Sequence, residues 1–180
     1  MVVTDDDELA RRARLIRSHG QAEKYLHVEL GYNLRTTNMA GGALGRVQLR
    51  KLDGWNRKRN ENAKKLTEGI GKIGGGLIPP YVDPRVYHVF HQYVVRVEDD
   101  FPLGRDELMA KLRERGGIGT AVHYPMPVHH QPLFQKLGYE KDCCPNAIEA
   151  SKKVLSLPVH PAVSEEDIGY IIQTLKELAS

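Results

Sequence analysis

The segment His123-Tyr124-Pro125-Met126-Pro127-Val128-His129-His130-Gln131 gathers imidazoles, a phenol and a terminal amide on a stretch made rigid by two prolines. Such a set can grip a polyhydroxylated or phosphorylated ligand; the plain alternative is a proline-fixed loop with exposed histidines. A second candidate is Gly31-Tyr32-Asn33-Leu34-Arg35. A glycine-preceded turn there would present backbone N–H groups beside a short amide, a combination that binds anions, with Arg35 as a supporting cation. The alternative is an Asx-turn in which Asn33 stabilises its own backbone. His27, four residues before Gly31, reads by itself as an ordinary loop histidine. The chain has eight histidines, which raises the question of a metal. His88 and His91 are three apart on a stretch with strand character and so face opposite sides, whereas chelation needs even spacing on a strand or i, i+4 on a helix. No Cys-x-x-Cys or acidic cluster completes a ligand set, and the expectation is no native metal site.

The bulk numbers narrow the classes. The 180 residues carry a net charge of +3, with 41% hydrophobic and 27% charged residues, the balance of a globular protein rather than a disordered chain. Arg57-Lys58-Arg59 and Lys64-Lys65 flank Glu61 and Glu68 over several faces of one helix, which reads as a solvated surface rather than a nucleic-acid footprint. No helix-turn-helix with a basic recognition face supports transcriptional regulation. No apolar run approaches the ~20 residues of a membrane span, and Asp5-Asp6-Asp7-Glu8 is the opposite of a secretory leader. The adjacent Cys143 and Cys144 cannot form an ordinary structural bridge with each other. The expected location is the cytoplasm.

The elements that would position these residues follow from periodicity and punctuation. Thr4 reads as an N-cap with Asp7 three positions on, and Leu9, Ala13 and Ile16 recur at helical spacing, so residues 5 to 18 are expected to be helical. Residues 21 to 40 show neither period and read as a structured loop. From Ala43 the apolar set Leu44, Val47, Leu52, Trp55, Ala63, Leu66 and Ile70 predicts one helix of roughly 25 residues, closed by Gly74-Gly75-Gly76 and Pro79-Pro80. Tyr87 to Val97 reads as a strand, 105 to 115 as a helix ended by Gly116-Gly117, and Ile118 to Tyr124 as a second strand. Pro145 opens a helix to Val154, a short strand follows, and Ser164 with Asp167 caps a last helix with a stripe of Ile168, Ile171, Ile172, Leu175 and Leu178. The expected fold is α+β, an antiparallel or mixed sheet covered by helices.

Four segments, in this order, resemble one family. Met1-Val2-Val3-Thr4-Asp5, the Gly31-to-Arg35 stretch with its small-residue run to Gln48-Leu49, the strip His123 to His129, and Leu155-Ser156-Leu157-Pro158 are similar to motifs of the DegT/DnrJ/StrS sugar aminotransferases. These are enzymes of fold type I that depend on pyridoxal phosphate (PLP). The resemblance covers nearly the whole chain and implies a division into a large-domain remnant (1–42), a long linking helix (43–76) and a small C-terminal α+β domain (77–180). It implies amino transfer from glutamate to a keto-sugar nucleotide, as a homodimer or with a partner carrying the N-terminal half. Asn33 would reach the PLP phosphate of the neighbouring subunit with Arg35 beside it, while His27, Tyr32, His123, Tyr124, His129 and Gln131 would border the substrate. In the family the lysine that holds PLP as a Schiff base stands upstream of the position matched by Met1, so the chain corresponds to the C-terminal portion. No catalytic residue is assigned, and the chain by itself is expected to be inactive. Asn38 to Ala43 is one residue longer and richer in glycine than the family's helix start, and Gly116-Gly117 replaces a single glycine. The alternative reading is a non-catalytic binding or dimerisation module derived from the same family.

Overall fold

The computed structural model describes residues 2–37 and 39–180. Met1 of the N-terminal motif and Asn38 of the small-residue run lie outside the described residues. The fold is α+β, and the chain divides into two compact units, Met1–Lys51 and Leu52–Ser180.

The first unit opens with helix α1, Asp7–Arg17. Thr4 is not its cap, contrary to the sequence expectation. The Asp6 carboxylate accepts the Leu9 N–H at 2.9 Å, while the Thr4 hydroxyl accepts the N–H of Asp6 itself at 3.1 Å. A charged acceptor complements the helix end electrostatically as well as by hydrogen bonding, so the carboxylate takes the site. The stretch expected to be a structured loop without strands contains a small antiparallel hairpin, β1 (Gln21–Glu23) with β2 (Leu26–His27). Two- and three-residue strands are too short to register as an alternating pattern.

Beyond the hairpin the chain runs extended against the C-terminal turn of α1. Tyr32 N–H donates to the Ile16 carbonyl (2.7 Å), His19 N–H to Tyr32 (2.9 Å) and Leu34 N–H to Arg17 (3.0 Å), and Asn33 bridges Ser18 in antiparallel fashion. The Gly-Tyr-Asn stretch is therefore a docked extended segment and not a free turn. This docking explains Gly31. A Cβ there would drive into the backbone nitrogen of Gly20, and one on Gly20, which sits at φ +67°, would strike the Glu29 carbonyl. A π-helical stretch, Met39–Leu44, leads into helix α2, Gly45–Ile73. Wider π winding takes up extra chain, in the run that reads one residue long. At 29 residues α2 is longer than the roughly 25 expected, and the division between the units falls within it.

The second unit holds an antiparallel sheet in the order β3-β4-β5: Leu77–Ile78, Tyr93–Val97 and Val154–Leu157. Its register pairs Leu77 with Val97 and Val95 with Leu155. Helices α3 (Arg105–Gly116), α4 (Pro132–Lys136), α5 (Pro145–Lys153) and α6 (Glu165–Leu178) complete it. Gly117, in the left-handed region at φ +59°, closes α3, and Ser164 with Asp167 forms the expected capping box of α6. The core joins Leu66 and Ile70 of α2, Leu108 and Leu112 of α3, and Ile168 and Leu175 of α6 to Tyr93, Val95 and Leu155 of the sheet. Lys153 sits among Glu98 (2.9 Å), Asp99 (3.2 Å) and Glu149 (3.3 Å), with the Glu98 hydrogen bond foremost in holding its proton above the ordinary lysine range. Among the described residues, no helix is long and apolar enough to cross a membrane.

Two expected strands are shortened. The strand read from Tyr87 begins only at Tyr93, because the carbonyls before it are taken by α2. Asn60 donates to His88 (2.8 Å), and Arg59 donates to Phe90 (3.2 Å) and His91 (3.4 Å); Phe90 itself lies at φ +42°. The strand read over Ile118 to Tyr124 reduces to a single antiparallel bridge between Ala121 and Ser156, since the Ile118 N–H is already spent on the Leu112 carbonyl at the end of α3.

Tyr93 is fully buried, and its hydroxyl meets the Thr67 hydroxyl at 2.8 Å. Burial disfavours the phenolate and pushes the group up to about 12. A folded-state value above the unfolded one, ~10, contributes stability fully present below pH ~10 and lost as pH rises through the folded value. Denaturant midpoints measured from pH 9 to 12 should fall, by up to ~2 kcal/mol in stability at the alkaline end, and Tyr93→Phe should remove that part of the slope. An unchanged slope in Tyr93→Phe would show that other groups carry it.

Candidate functional site

Each unit carries one cluster of the residues singled out in the sequence. In the first unit the hairpin and the docked segment place His27, Tyr32, Asn33 and Arg35, all solvent-exposed. His27 Nδ1 lies 2.8 Å from the His19 carbonyl. A carbonyl can only accept, so Nδ1 carries the proton and Nε2 is left as an acceptor, 3.4 Å from the Gln21 amide nitrogen. Arg35 Nε donates to Asn33 Oδ1 at 3.4 Å. That contact turns the amide oxygen toward the guanidinium and leaves the amide NH2 and the remaining guanidinium N–H groups as donors. A patch of donors carrying one positive charge suits a phosphate. Asn33 takes part in a backbone bridge rather than an Asx-turn, and with its side-chain oxygen on Arg35 it is the amide NH2 that can face a ligand.

In the second unit His123 Nδ1 approaches the Ser156 hydroxyl at 3.3 Å. The ring lines a 510 Å³ depression together with Arg59, His91, Thr120, Ser156 and His160. Tyr124 next to it is 76% exposed, and Gln131, also exposed, stands at the start of α4. His129 is different. It is only 6% exposed, lies in a 3-10 turn, Val128–His130, and directs Nε2 to the Lys141 carbonyl at 3.1 Å. His130 directs its own Nε2 to the same carbonyl at 2.7 Å. The pair thus anchors the loop before α5, and the loop's cysteines come to lie beside His129. Neighbouring sulfurs, 3.6 Å apart, hold the Cys143 thiol above its ordinary value through its contact with Cys144.

The depression also draws in residues absent from the sequence-level candidates. Arg59, His91, Ser156 and His160 come from a helix, a strand approach, a strand and a loop. Ser156 alone lay inside a motif, Leu155-Ser156-Leu157-Pro158, and nothing in its spacing pointed to His123.

The model of the DegT/DnrJ/EryC1/StrS aminotransferase family matches residues 1–176. The chain is 43% identical to the "Pleiotropic regulatory protein" of Geobacillus stearothermophilus over 98% of its own length and 46% of that protein's. It is 36% identical to the dTDP-3-amino-3,4,6-trideoxy-alpha-D-glucose transaminase of Streptomyces venezuelae, covering 99% of this chain and 45% of that enzyme. Among solved structures, S. venezuelae DesV superposes with a TM-score of 0.89 at 35% identity over 99% of this chain and 46% of that one. Spr1654 of Streptococcus pneumoniae in its PLP form gives 0.82 at 25% identity, over 98% and 44%. The chain therefore spans about half the length of the relatives it matches.

Proposed function

The chain belongs to the DegT/DnrJ/EryC1/StrS aminotransferase family, and we propose that it supplies the C-terminal portion of an aminotransferase that moves an amino group from glutamate to a keto-sugar nucleotide. The observation that carries this reading is the donor patch of Asn33 and Arg35, held in place by the docking of residues 31–34 on α1. PLP, when bound, serves as the electron sink for amino transfer. The residues present fit its phosphate: both offer N–H donors, and Arg35 supplies the positive charge. In this reading Asn33 and Arg35 hold the phosphate, and His27 and Tyr32 stand at the rim of the same patch. His123 and Tyr124, with Gln131, present donors and acceptors to the hydroxyls and phosphates of a nucleotide sugar. His129 acts one step back, by fixing the loop that borders them. The Schiff-base lysine would come from the N-terminal half of the enzyme, and the assembly would be a homodimer in the cytoplasm.

The first unit supports the idea of a missing partner surface. Leu15 is its one buried large apolar side chain among the described residues, whereas Val2, Val3, Leu30, Leu34 and Leu49 are each more than half exposed. A 780 Å³ cavity lined by Val2, Val3, Ala10, Ala13, Ile16 and Leu34 opens beside α1. Apolar surface of this kind suits a face that another polypeptide would cover, with Arg14 and Arg17 at its edge. A second reading, a non-catalytic binding or dimerisation module, draws on the same surface and on the name of the Geobacillus relative.

Asn33→Ala tests the phosphate assignment when the chain is paired with a lysine-bearing N-terminal half. A hydrogen bond to a charged group is worth roughly 1.5–3 kcal/mol, so PLP affinity, followed by fluorescence titration, should weaken about 10- to 100-fold. Unchanged affinity would remove Asn33 from the site.

A further inference from the structure

We propose that His129, Cys143 and Cys144 form a binding site for a thiophilic d10 cation of the zinc type. One ring nitrogen of His129 and the two sulfurs all lie within 4.8 Å of one another, with the sulfurs 3.6 Å apart. A tetrahedral zinc with Zn–S bonds of ~2.3 Å and a Zn–N bond of ~2.0 Å requires S···S near about 3.8 Å and S···N near about 3.5 Å. The sulfur pair already has that spacing, and the imidazole nitrogen lies within 4.8 Å of both sulfurs before any metal enters.

The surroundings supply what a ligating histidine needs. Nε2 of His129 meets the Lys141 carbonyl at 3.1 Å, and because a carbonyl only accepts, this nitrogen carries the proton. The lone pair is therefore on Nδ1. A ligating imidazole whose other N–H is held by a backbone carbonyl is the usual pattern around protein-bound zinc, since it fixes both tautomer and ring direction. The same Lys141 carbonyl also engages His130 at 2.7 Å. Two imidazoles thus anchor the loop that bears the cysteines, and Gln135 locks the turn by donating to the His129 carbonyl at 2.6 Å. The ligands are neither all buried nor all exposed. His129 sits at the floor of the site, and the two thiols face solvent, which leaves an entry path. Cys144 is the N-cap residue of α5, so a metal-bound thiolate there would carry its charge at the positive end of a helix.

Ligand type selects the ion. Two thiols and an imidazole suit zinc or copper(I) and are poor partners for magnesium or calcium, which take oxygen ligands. Binding forms two metal–sulfur bonds and one metal–nitrogen bond and releases the two thiol protons to solvent; no electron is transferred. Three protein ligands leave the fourth position to water. Histidine spacing could not show this set, because the pairing joins one histidine to cysteines fourteen and fifteen residues on. The inference is independent of the aminotransferase reading, since it uses neither PLP nor a sugar nucleotide.

Cobalt(II) is the probe of choice, with zinc as competitor. The chain, reduced and freed of metal, should bind one cobalt per polypeptide with thiolate-to-cobalt charge-transfer absorbance and the visible bands of a tetrahedral site. Zinc should abolish both and should slow alkylation of the two cysteines. Cys143→Ser and Cys144→Ser alter exposed side chains, so they should leave the fold intact while weakening cobalt binding by at least about 10-fold. His129→Ala should do the same, and a circular-dichroism spectrum like that of the parent shows that it is folded. Absence of charge-transfer absorbance in the fully reduced chain would overturn the proposal, and so would undiminished cobalt binding by either serine variant.

Discussion

Residues 1–180 purified alone are expected to show no visible absorbance of lysine-bound PLP and no amino transfer from glutamate to a keto-sugar nucleotide. Both are expected to appear when a polypeptide carrying the family's lysine-bearing N-terminal half is supplied. The reason lies in the state of the amines. Lys24, Lys51 and Lys72 are exposed, and an amine in open solvent lacks the enclosed, positioned setting in which a lysine forms an imine with a cofactor. A cofactor lysine needs an environment that lowers its pKa. The most enclosed ammonium described in the second unit is in the opposite situation: Lys153 lies among three carboxylates that raise its pKa. Lys65 pairs with Glu165 at 2.6 Å. An absorbance titration with PLP and a coupled assay for 2-oxoglutarate decide the matter. Turnover by the chain alone would mean that one of these lysines serves. Silence of the reconstituted pair would favour the binding-module reading.

Asn62→Asp is expected to destabilise the second unit by ~3–5 kcal/mol at neutral pH, the range for an uncompensated buried charge. Asn62 is 1% exposed, and its amide NH2 donates to the carbonyls of His160 (3.3 Å) and Val163 (3.2 Å), tying α2 to the segment that leads into α6. Its Oδ1 has no hydrogen-bond partner among the described residues. A carboxylate of the same shape has no donor, so both carbonyls would lose their partner and face a negative charge in the core. Against a typical total of about 5–15 kcal/mol, such a loss is large. The pH dependence gives the mechanism away. Burial raises the folded-state pKa of the new carboxyl above its unfolded value, so the folded form binds the extra proton, and stability is regained as pH falls through that value and lost as pH rises. Urea unfolding of parent and variant at pH 7 and pH 5 reads this difference. Equal midpoints at both values would show that the tie through Asn62 contributes nothing to the fold.

The helices were legible in the sequence where local signals agree. Ser164 and Asp167 cap α6 by bonds that span three residues, and Ile168, Ile171 and Leu175 repeat along one face. The segments resembling a sugar aminotransferase were legible in the same way, as contiguous strings, and the family followed from their order. What the sequence did not determine is where a strand begins. The run from Tyr87 has strand character throughout, yet the strand starts at Tyr93 because Arg59 and Asn60, about thirty residues earlier, capture the carbonyls of residues 88, 90 and 91. The glycine-preceded segment read as a turn is instead extended, because α1 offers it the carbonyls of Ile16 and Arg17. Only the tertiary structure could place His123 beside Ser156, or His129 beside Cys143 and Cys144. Caps and periodic stripes depend on neighbours a few residues away and so are written locally, whereas sheet edges and side-chain clusters depend on which distant donor reaches a carbonyl first, and that is settled only when the core has packed.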